Sequence, residues 1–361
     1  MTTRASRGAD ARLVVQAWLG TRLLIALVAL AIARATGSSV LAMAGNWDVA
    51  HFAAIAENGY AIRTDIAFFP GLPLLMRAGM LVGLSPQLSG IVIALVCSAL
   101  ATWALYRLGG PFAAIAWLLA PTSVFTAVGY TESPFCAAAF WAWERATKKQ
   151  WGAAALFAGL ACTLRVSGLF LIGALAILAL TQNGRLRERL RRLAWLLVPA
   201  LVLFAYALYL FRMTGSWTAW FSAQAAGWER QFTWPWQAAI NSWNSLQPGM
   251  YPEHPEWVWV FRGEMISMIV GAVVTLVALA RRRIADAAWV AVQVLAFSLS
   301  YWFQSVNRAV LLWFPLWEQI GDVVESHRTG PWRVLWAIVV VGALALQVTW
   351  SWLFFTGRWA S

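Results

Sequence analysis

Residues 151–181 read WGAAALFAGLACTLRVSGLFLIGALAILALT. A spanning helix needs about 20 apolar residues; this stretch is too long for one and is interrupted by Arg165, Ser167 and Gly168. Read as one span, it carries RLRERLRR (185–192) to the side opposite Lys148 and Lys149. Read as two short helices meeting at Arg165, it returns the chain to the side it left. Only the second reading keeps the basic blocks together, as the positive-inside rule requires. Broken helices are tolerated in a membrane where they line a cavity or are buried in protein.

The rest of the chain supports a membrane setting. It is 61% hydrophobic with a mean hydropathy of +0.65, and only 12% of its residues are charged. A soluble domain usually carries about 25% charged residues. The net charge of +12 comes from short basic blocks between apolar runs, which is a topological signal rather than a nucleic-acid one. No nucleic-acid recognition module is visible. Lys148 and Lys149 are the only lysines among 27 basic residues, a skew that suits a GC-rich bacterial genome. Cys97, Cys136 and Cys162 lie inside apolar runs at no metal-like spacing and read as buried small hydrophobes. No fixed-period repeat is evident.

Working outward from 151–181, the basic blocks fix an orientation. The run 13–33 follows Arg4, Arg7 and Arg12 and reads as a first span rather than a cleaved leader, although ALAIARA could imitate a cleavage site. Segment 37–67 is then external. Run 68–84 carries Pro70, Gly71 and Pro73 and reads as a short dip into the outer leaflet. Run 88–107 goes inward to Arg107, 111–128 returns, and 133–147 goes back to Arg145 and the lysines. Run 193–211 leads to an external, tryptophan-rich segment, 212–264. Runs 265–280, 285–304, 308–324 and 332–355 follow, with RRR (281–283) inside and SVNR (305–308) outside. The expectation is one all-α, polytopic domain over 1–361 with about eleven spans.

This orientation, drawn from basic blocks, gathers the unusual polar residues on the external face. Asp48, His51, Glu57, Tyr130, Glu132, Arg165 and Arg308 all fall there. Ionisable residues at membrane depth are costly and mark functional sites. The loop 212–264 adds Trp217, Trp220, Trp228, Trp234, Trp236, Trp243, Trp257 and Trp259. Most fit an interfacial belt; some offer flat apolar faces suited to sugar rings. A carboxylate here can act as general base toward a hydroxyl, and an arginine can hold a phosphate bidentately. Together they suit glycosyl transfer from a lipid-linked phosphate donor. No P-loop or dinucleotide fingerprint offers a seat for a soluble nucleotide donor.

WDVAHFAAIAENGY (47–60) followed by AFFPGLPLL (67–75) resembles the first external loop of the GPI mannosyltransferase 2 family, membrane glycosyltransferases of the C superfamily. YTES (130–133), GLACTLRVSGL (159–169) and the pattern at Ser305, Arg308, Leu311, Phe314 and Pro315 extend the likeness, as does AWFSAQAAGWERQFTWPW (219–236). Ala309 departs from it, since relatives often carry an aromatic there. The resemblance implies a C-superfamily fold with its site on the non-cytoplasmic face, and inverting transfer from polyprenyl-phosphate mannose. It maps the catalytic base onto Asp48, in an external catalytic loop at 37–67.

Around that base, His51 lies one turn on and could orient the acid or touch the donor. Tyr130 and Glu132 could bind sugar hydroxyls. Arg165 at the helix break is the first candidate for the phosphate, with Arg308 next; an ion pair between Arg165 and Glu132 is the competing reading. For Asp48 the competing reading is a helix N-cap. The partners expected are the lipid bilayer, the polyprenyl-phosphate-sugar donor and a glycan, glycolipid or protein acceptor, in a bacterial plasma membrane, with no metal or cofactor required. A flippase for a polyprenyl-linked sugar is the other class, and a transferase of another sugar such as arabinose a third.

Overall fold

The structure is a computed structural model that describes residues 4–360, with side chains from Gly8 onward. The side chains of Arg4 and Arg7, expected with the basic blocks, lie outside the described residues. Among the described residues every regular element is helical. Five stretches are long and apolar enough to cross a membrane: Gly8–Thr36, Pro86–Leu118, Leu186–Thr214, Trp257–Ala280 and Trp332–Phe355. Trp151–Cys162, Ser167–Thr181 and Ile284–Ser298 are apolar but shorter. Any count near eleven therefore depends on helices below full spanning length. Exposed Leu19, Leu23, Leu27 and Leu30 on the first helix, and Val334, Ile338 and Val341 on the last, form outward apolar stripes. In water such stripes would be an association hazard; in lipid they are the expected surface.

The apolar segment 151–181 is broken. One helix runs Trp151–Cys162 and the next Ser167–Thr181, with Arg165 in the turn between them. Past the second helix, Gln182 donates from Nε2 to the carbonyl of Ala146 at 3.0 Å. Ala146 lies just before the first helix, so the chain has come back to the end it left.

The helix Pro86–Leu118 folds on itself at Gly110, whose φ of 78° and ψ of −174° only glycine adopts freely. Pro111 follows and cannot donate a helical bond. The two limbs then run so close that a methyl group on Gly90 would stand 2.8 Å from the Gly129 Cα. The returning limb is helical only to Leu118, with a short 3-10 turn at Ser123–Thr126, rather than along the whole apolar run to 128. This unwound stretch is almost wholly buried, and its polar groups find partners. Arg22, from the first helix, donates to Thr126 Oγ1 at 2.6 Å and to the Thr126 carbonyl at 3.1 Å. Gln347, from the last, donates to the Leu118 carbonyl at 3.0 Å. Irregular backbone is sustainable at membrane depth only when satisfied in this way.

The charges sort to the two ends of the bundle. At one end Glu144 gathers Arg107 at 2.8 Å, Arg145 at 2.6 Å and Lys148. Arg283 pairs with Asp286 and Glu318, and Glu318 packs on Gly109, beside Arg107's turn. Arg192 donates to the carbonyls of Gln182 and Asn183. At the other end stand Asp48, Tyr130, Glu132, Arg165 and Arg308.

The tryptophan-rich segment is not a plain loop. It holds helices Ala219–Trp228 and Pro235–Asn244, and the next long helix starts at Trp257 rather than near 265. Trp217, Trp234, Trp236, Trp243 and Trp259 face outward, whereas Trp220, Trp228 and Trp257 turn toward the polar end.

Candidate active site

The helix Asp48–Asn58 starts abruptly. Trp47 before it has φ 58° and ψ −131°, a conformation that costs a non-glycine residue about 1–3 kcal/mol. Asn46 secures the approach by donating from Nδ2 to the Phe354 carbonyl at 2.9 Å. The sharp entry puts Asp48 in the first helical turn, and its side chain does not cap the helix. The carboxylate instead accepts from Arg308 Nη1 at 2.6 Å. The Asp48 backbone N–H donates to the Tyr130 hydroxyl at 3.2 Å.

Arg308 is held by a second strained turn. Ser305 is left-handed, with φ 66°. The buried carboxylate of Glu264 accepts the backbone N–H groups of Ser305 at 2.9 Å and Asn307 at 2.8 Å. Asn307 in turn donates to the Val260 carbonyl at 3.0 Å. The guanidinium then lies over the rings of Tyr130, at 5.2 Å, and Phe125, at 5.8 Å. Its Nε stands 3.6 Å from Glu132 Oε1. Burial alone would lower the pKa of Arg308, but Asp48, Glu132 and Tyr130 together raise it above its ordinary value. Burial, followed by the charge of Asp48, raises the Tyr130 phenol well above its usual range, so it stays protonated.

Glu132 opens the helix Glu132–Thr147 and is completely buried. Arg165 reaches it at 2.5 Å and also donates to Thr131 Oγ1 at 2.9 Å. The ion pair weighed for Arg165 is thus present. The helix break that carries Arg165 is tied to the AFFPGLP loop, since Gly71 N–H donates to the Thr163 carbonyl at 2.8 Å. Asp48, Glu132, Arg165, Arg308 and Tyr130 form one connected network.

His51 and Glu57 stand apart from it. His51 Nδ1 lies 3.3 Å from Asp65 Oδ1, and the ring stacks on Phe68 at 4.9 Å. It shares a face with Asp48 but sits one turn further along the helix, where Asp65 at the loop's 3-10 turn meets it. Glu57 is exposed and offers its backbone carbonyl to Arg77 at 3.1 Å.

Two residues join the site that the sequence reading passed over. Arg230 lies just after helix Ala219–Trp228, and its Nη2 reaches the Gln304 carbonyl at 3.4 Å. Burial, then repulsion from Arg308 and Arg165, lowers its pKa to about 10. Glu264 is the other; a lone acid near the start of an apolar helix was its available signal.

The Asp48–Arg308 pair stands between two cavities. One, of about 100 Å³, is lined by Arg165, Arg230, Arg308, Gln224, Trp220 and Phe69 among others. Three guanidinium groups there face two carboxylates, Asp48 and Glu132, so the cavity carries surplus positive charge. The other, of about 260 Å³, is walled by Trp47, Tyr130, Trp257, Phe261, Trp302 and Trp359. Asp48 and Arg308 line both. Chemically, one carboxylate belongs to the lining of both an aromatic chamber and an anion seat.

The profile of the mannosyltransferase (PIG-V) family matches residues 26–238, more than half of the chain. GPI alpha-1,6-mannosyltransferase 2 of Mus musculus is 34% identical over 146 residues, covering 35% of this chain and 30% of that protein. Its counterpart from Cricetulus griseus is 35% identical over 147 residues, with the same coverage. The chain thus spans under a third of the length of these curated relatives. Among solved structures, ArnT from Cupriavidus metallidurans, bound to undecaprenyl phosphate, superposes with a TM-score of 0.55 at 14% identity, over 99% of this chain and 77% of ArnT. At that identity the likeness is one of fold, and the five long apolar helices fit a multi-pass membrane protein.

Proposed function

Because the chain belongs to the mannosyltransferase (PIG-V) family, we propose that it transfers mannose from a polyprenyl-phosphate donor to a lipoglycan, glycolipid or protein acceptor. The observation that carries this reading is the Asp48 carboxylate standing between an arginine-lined cavity and an aromatic one. The donor phosphate sits among Arg165, Arg230 and Arg308, which match its charge. An apolar cleft lined by Ile55, Tyr60, Pro70, Pro73, Leu74 and Tyr206 adjoins that cavity through Phe69 and Pro70 and suits the prenyl chain. The ArnT complex holds undecaprenyl phosphate, which supports a donor of this class.

Asp48 accepts the proton of the acceptor hydroxyl as its oxygen forms the new bond to the anomeric carbon. The bond from that carbon to the phosphate oxygen breaks on the opposite face, and its electron pair leaves with polyprenyl phosphate. One carboxylate suffices for such an inverting displacement, as for the base of inverting glycosidases. The arginines stabilise the charge that develops on the leaving phosphate. Tyr130 steadies the backbone of Asp48, Glu132 anchors the two arginines, and His51 acts through Asp65 to order the loop beneath the donor.

The site lies at the end away from the basic blocks, so the positive-inside rule puts it on the extracytoplasmic face, in our reading that of a bacterial plasma membrane. The loops 37–67 and 212–264 supply its catalytic and tryptophan-rich parts. The test is a transfer assay with radiolabelled polyprenyl-phosphate mannose and membranes of the source cell. Label should reach an acceptor with the native chain and stay on the donor with Asp48→Asn. Label that stays on the donor in both, or moves equally in both, sinks the reading.

A further inference from the structure

We propose that the aromatic cavity, which shares Asp48 and Arg308 with the arginine-lined one, is a binding site for an uncharged pyranose ring, the terminal sugar of the acceptor. The inference rests on the transferase reading for the word acceptor, but the site itself is argued from its walls. Its rings are not parallel. Phe261 and Trp302 meet at 52° with centroids 5.2 Å apart, Phe261 and Trp359 at 55° and 4.9 Å, and Trp257 and Trp359 at 67° and 5.6 Å. At these distances the rings pack edge and face on one another and form a continuous aromatic wall to the cavity of about 260 Å³. These four rings come from three separate parts of the chain, and an ion pair between Arg358 and Glu256 at 3.3 Å clasps two of them together.

A second observation gives the ligand its chemistry. The indole N–H of Trp302 and the side-chain oxygen of Gln304 are buried without a partner, and both residues line this cavity. Buried polar atoms left unpaired are rare and need a reason. Here one is a donor and the other an acceptor, the two roles that a sugar hydroxyl can answer. The C–H face of the same ring meets the aromatic walls. The ionised lining groups, among the described residues, are Asp48 and Arg308, which already neutralise each other. A phosphorylated or carboxylated ligand finds no spare cation there, and an ammonium finds Arg308 facing it. A hydroxyl of a neutral ring in this chamber has Asp48, the proposed base, within the same lining.

The test uses the full chain in nanodiscs with methyl α-D-mannopyranoside as probe, followed by saturation-transfer NMR, which reads weak binding without any transfer. The native chain should bind the probe. Trp257→Ala should weaken binding about tenfold through the lost ring contact. Trp302→Phe, which keeps a ring and loses only the N–H, should weaken it about fivefold. Trp236→Ala, on the outward belt with 63% exposure, should change nothing. If Trp257→Ala fails to fold, Trp302→Phe carries the comparison. In the transfer assay the same two variants should raise the acceptor KM and leave the donor KM within twofold. No binding by the native chain, equal binding by all variants, or donor and acceptor KM rising together overturns the subsite. Binding with the expected variant pattern but no transfer of mannose overturns the transferase reading and leaves a sugar site standing.

Discussion

Arg308 bridges two carboxylates that come from the first turns of two different helices, lying 2.6 Å from Asp48 and 3.6 Å from Glu132. The same guanidinium thus positions the proposed base and, through Glu132, is coupled to Arg165. Charge changes at any of the four will be felt by the others, which shapes what each substitution should do.

Asp48→Asn keeps the side-chain volume and removes the base. Turnover should fall about 10²–10⁴-fold, the usual worth of general-base catalysis. Donor and acceptor KM values should move little. Purified variant with near-native turnover would remove Asp48 from the chemistry.

Arg165→Ala strips the completely buried Glu132 of its nearest cation. Breaking such a pair costs about 3–5 kcal/mol, so the variant should unfold at a clearly lower temperature. Its donor KM should also rise more than its acceptor KM. Thermal unfolding and a two-substrate kinetic analysis read the two effects separately, and equal rises in both KM values would count against a phosphate role.

Arg230→Ala is the contrasting case. Arg230 has a carbonyl contact but no carboxylate within ion-pair distance. Stability should therefore be nearly unchanged, while donor affinity falls about tenfold or more, the worth of one charge-assisted hydrogen bond. A large drop in unfolding temperature with unchanged donor KM would make it a structural arginine instead.

Glu264→Gln should loosen the turn that aims Arg308. The amide has one oxygen where the carboxylate offers two, so one backbone N–H of Ser305 or Asn307 loses its partner, at about 1–3 kcal/mol. Turnover should drop about tenfold and the donor KM should rise, because Arg308 is one of the proposed phosphate ligands, while the acceptor KM changes little. Lower stability at native turnover would mean that Arg308 finds its place without Glu264.

How much of this was legible in the sequence depended on which residues carried a local signal. The break at Arg165 and the return of the chain could be read because the basic blocks on either side of 151–181 demand it. Asp48, Glu132 and Arg308 were legible as charges out of place in apolar surroundings. Arg230 was not, since it sits in a polar loop where arginine is ordinary, and only the fold brings it against Arg165 and Arg308. The helical spacing of His51 points it toward Asp48, but spacing does not reveal Asp65, which arrives from another turn. The apolar run to 128 looked like a full helix because hydropathy does not distinguish a helix from a buried unwound strand of chain. The tertiary bonds from Arg22 and Gln347 make the second form possible.

The Asp48–Arg308 pair joins positions 260 residues apart, and this has a consequence for how the protein is made. At about 5–20 residues per second, a gap of 260 residues means that Asp48 leaves the ribosome some 13–50 s before Arg308. Throughout that interval the carboxylate waits at the membrane surface with no guanidinium from the chain's later part. Neither cavity can close until the segment from Trp302 to Arg308 has been inserted. The site is thus completed among the last parts of the bundle to assemble.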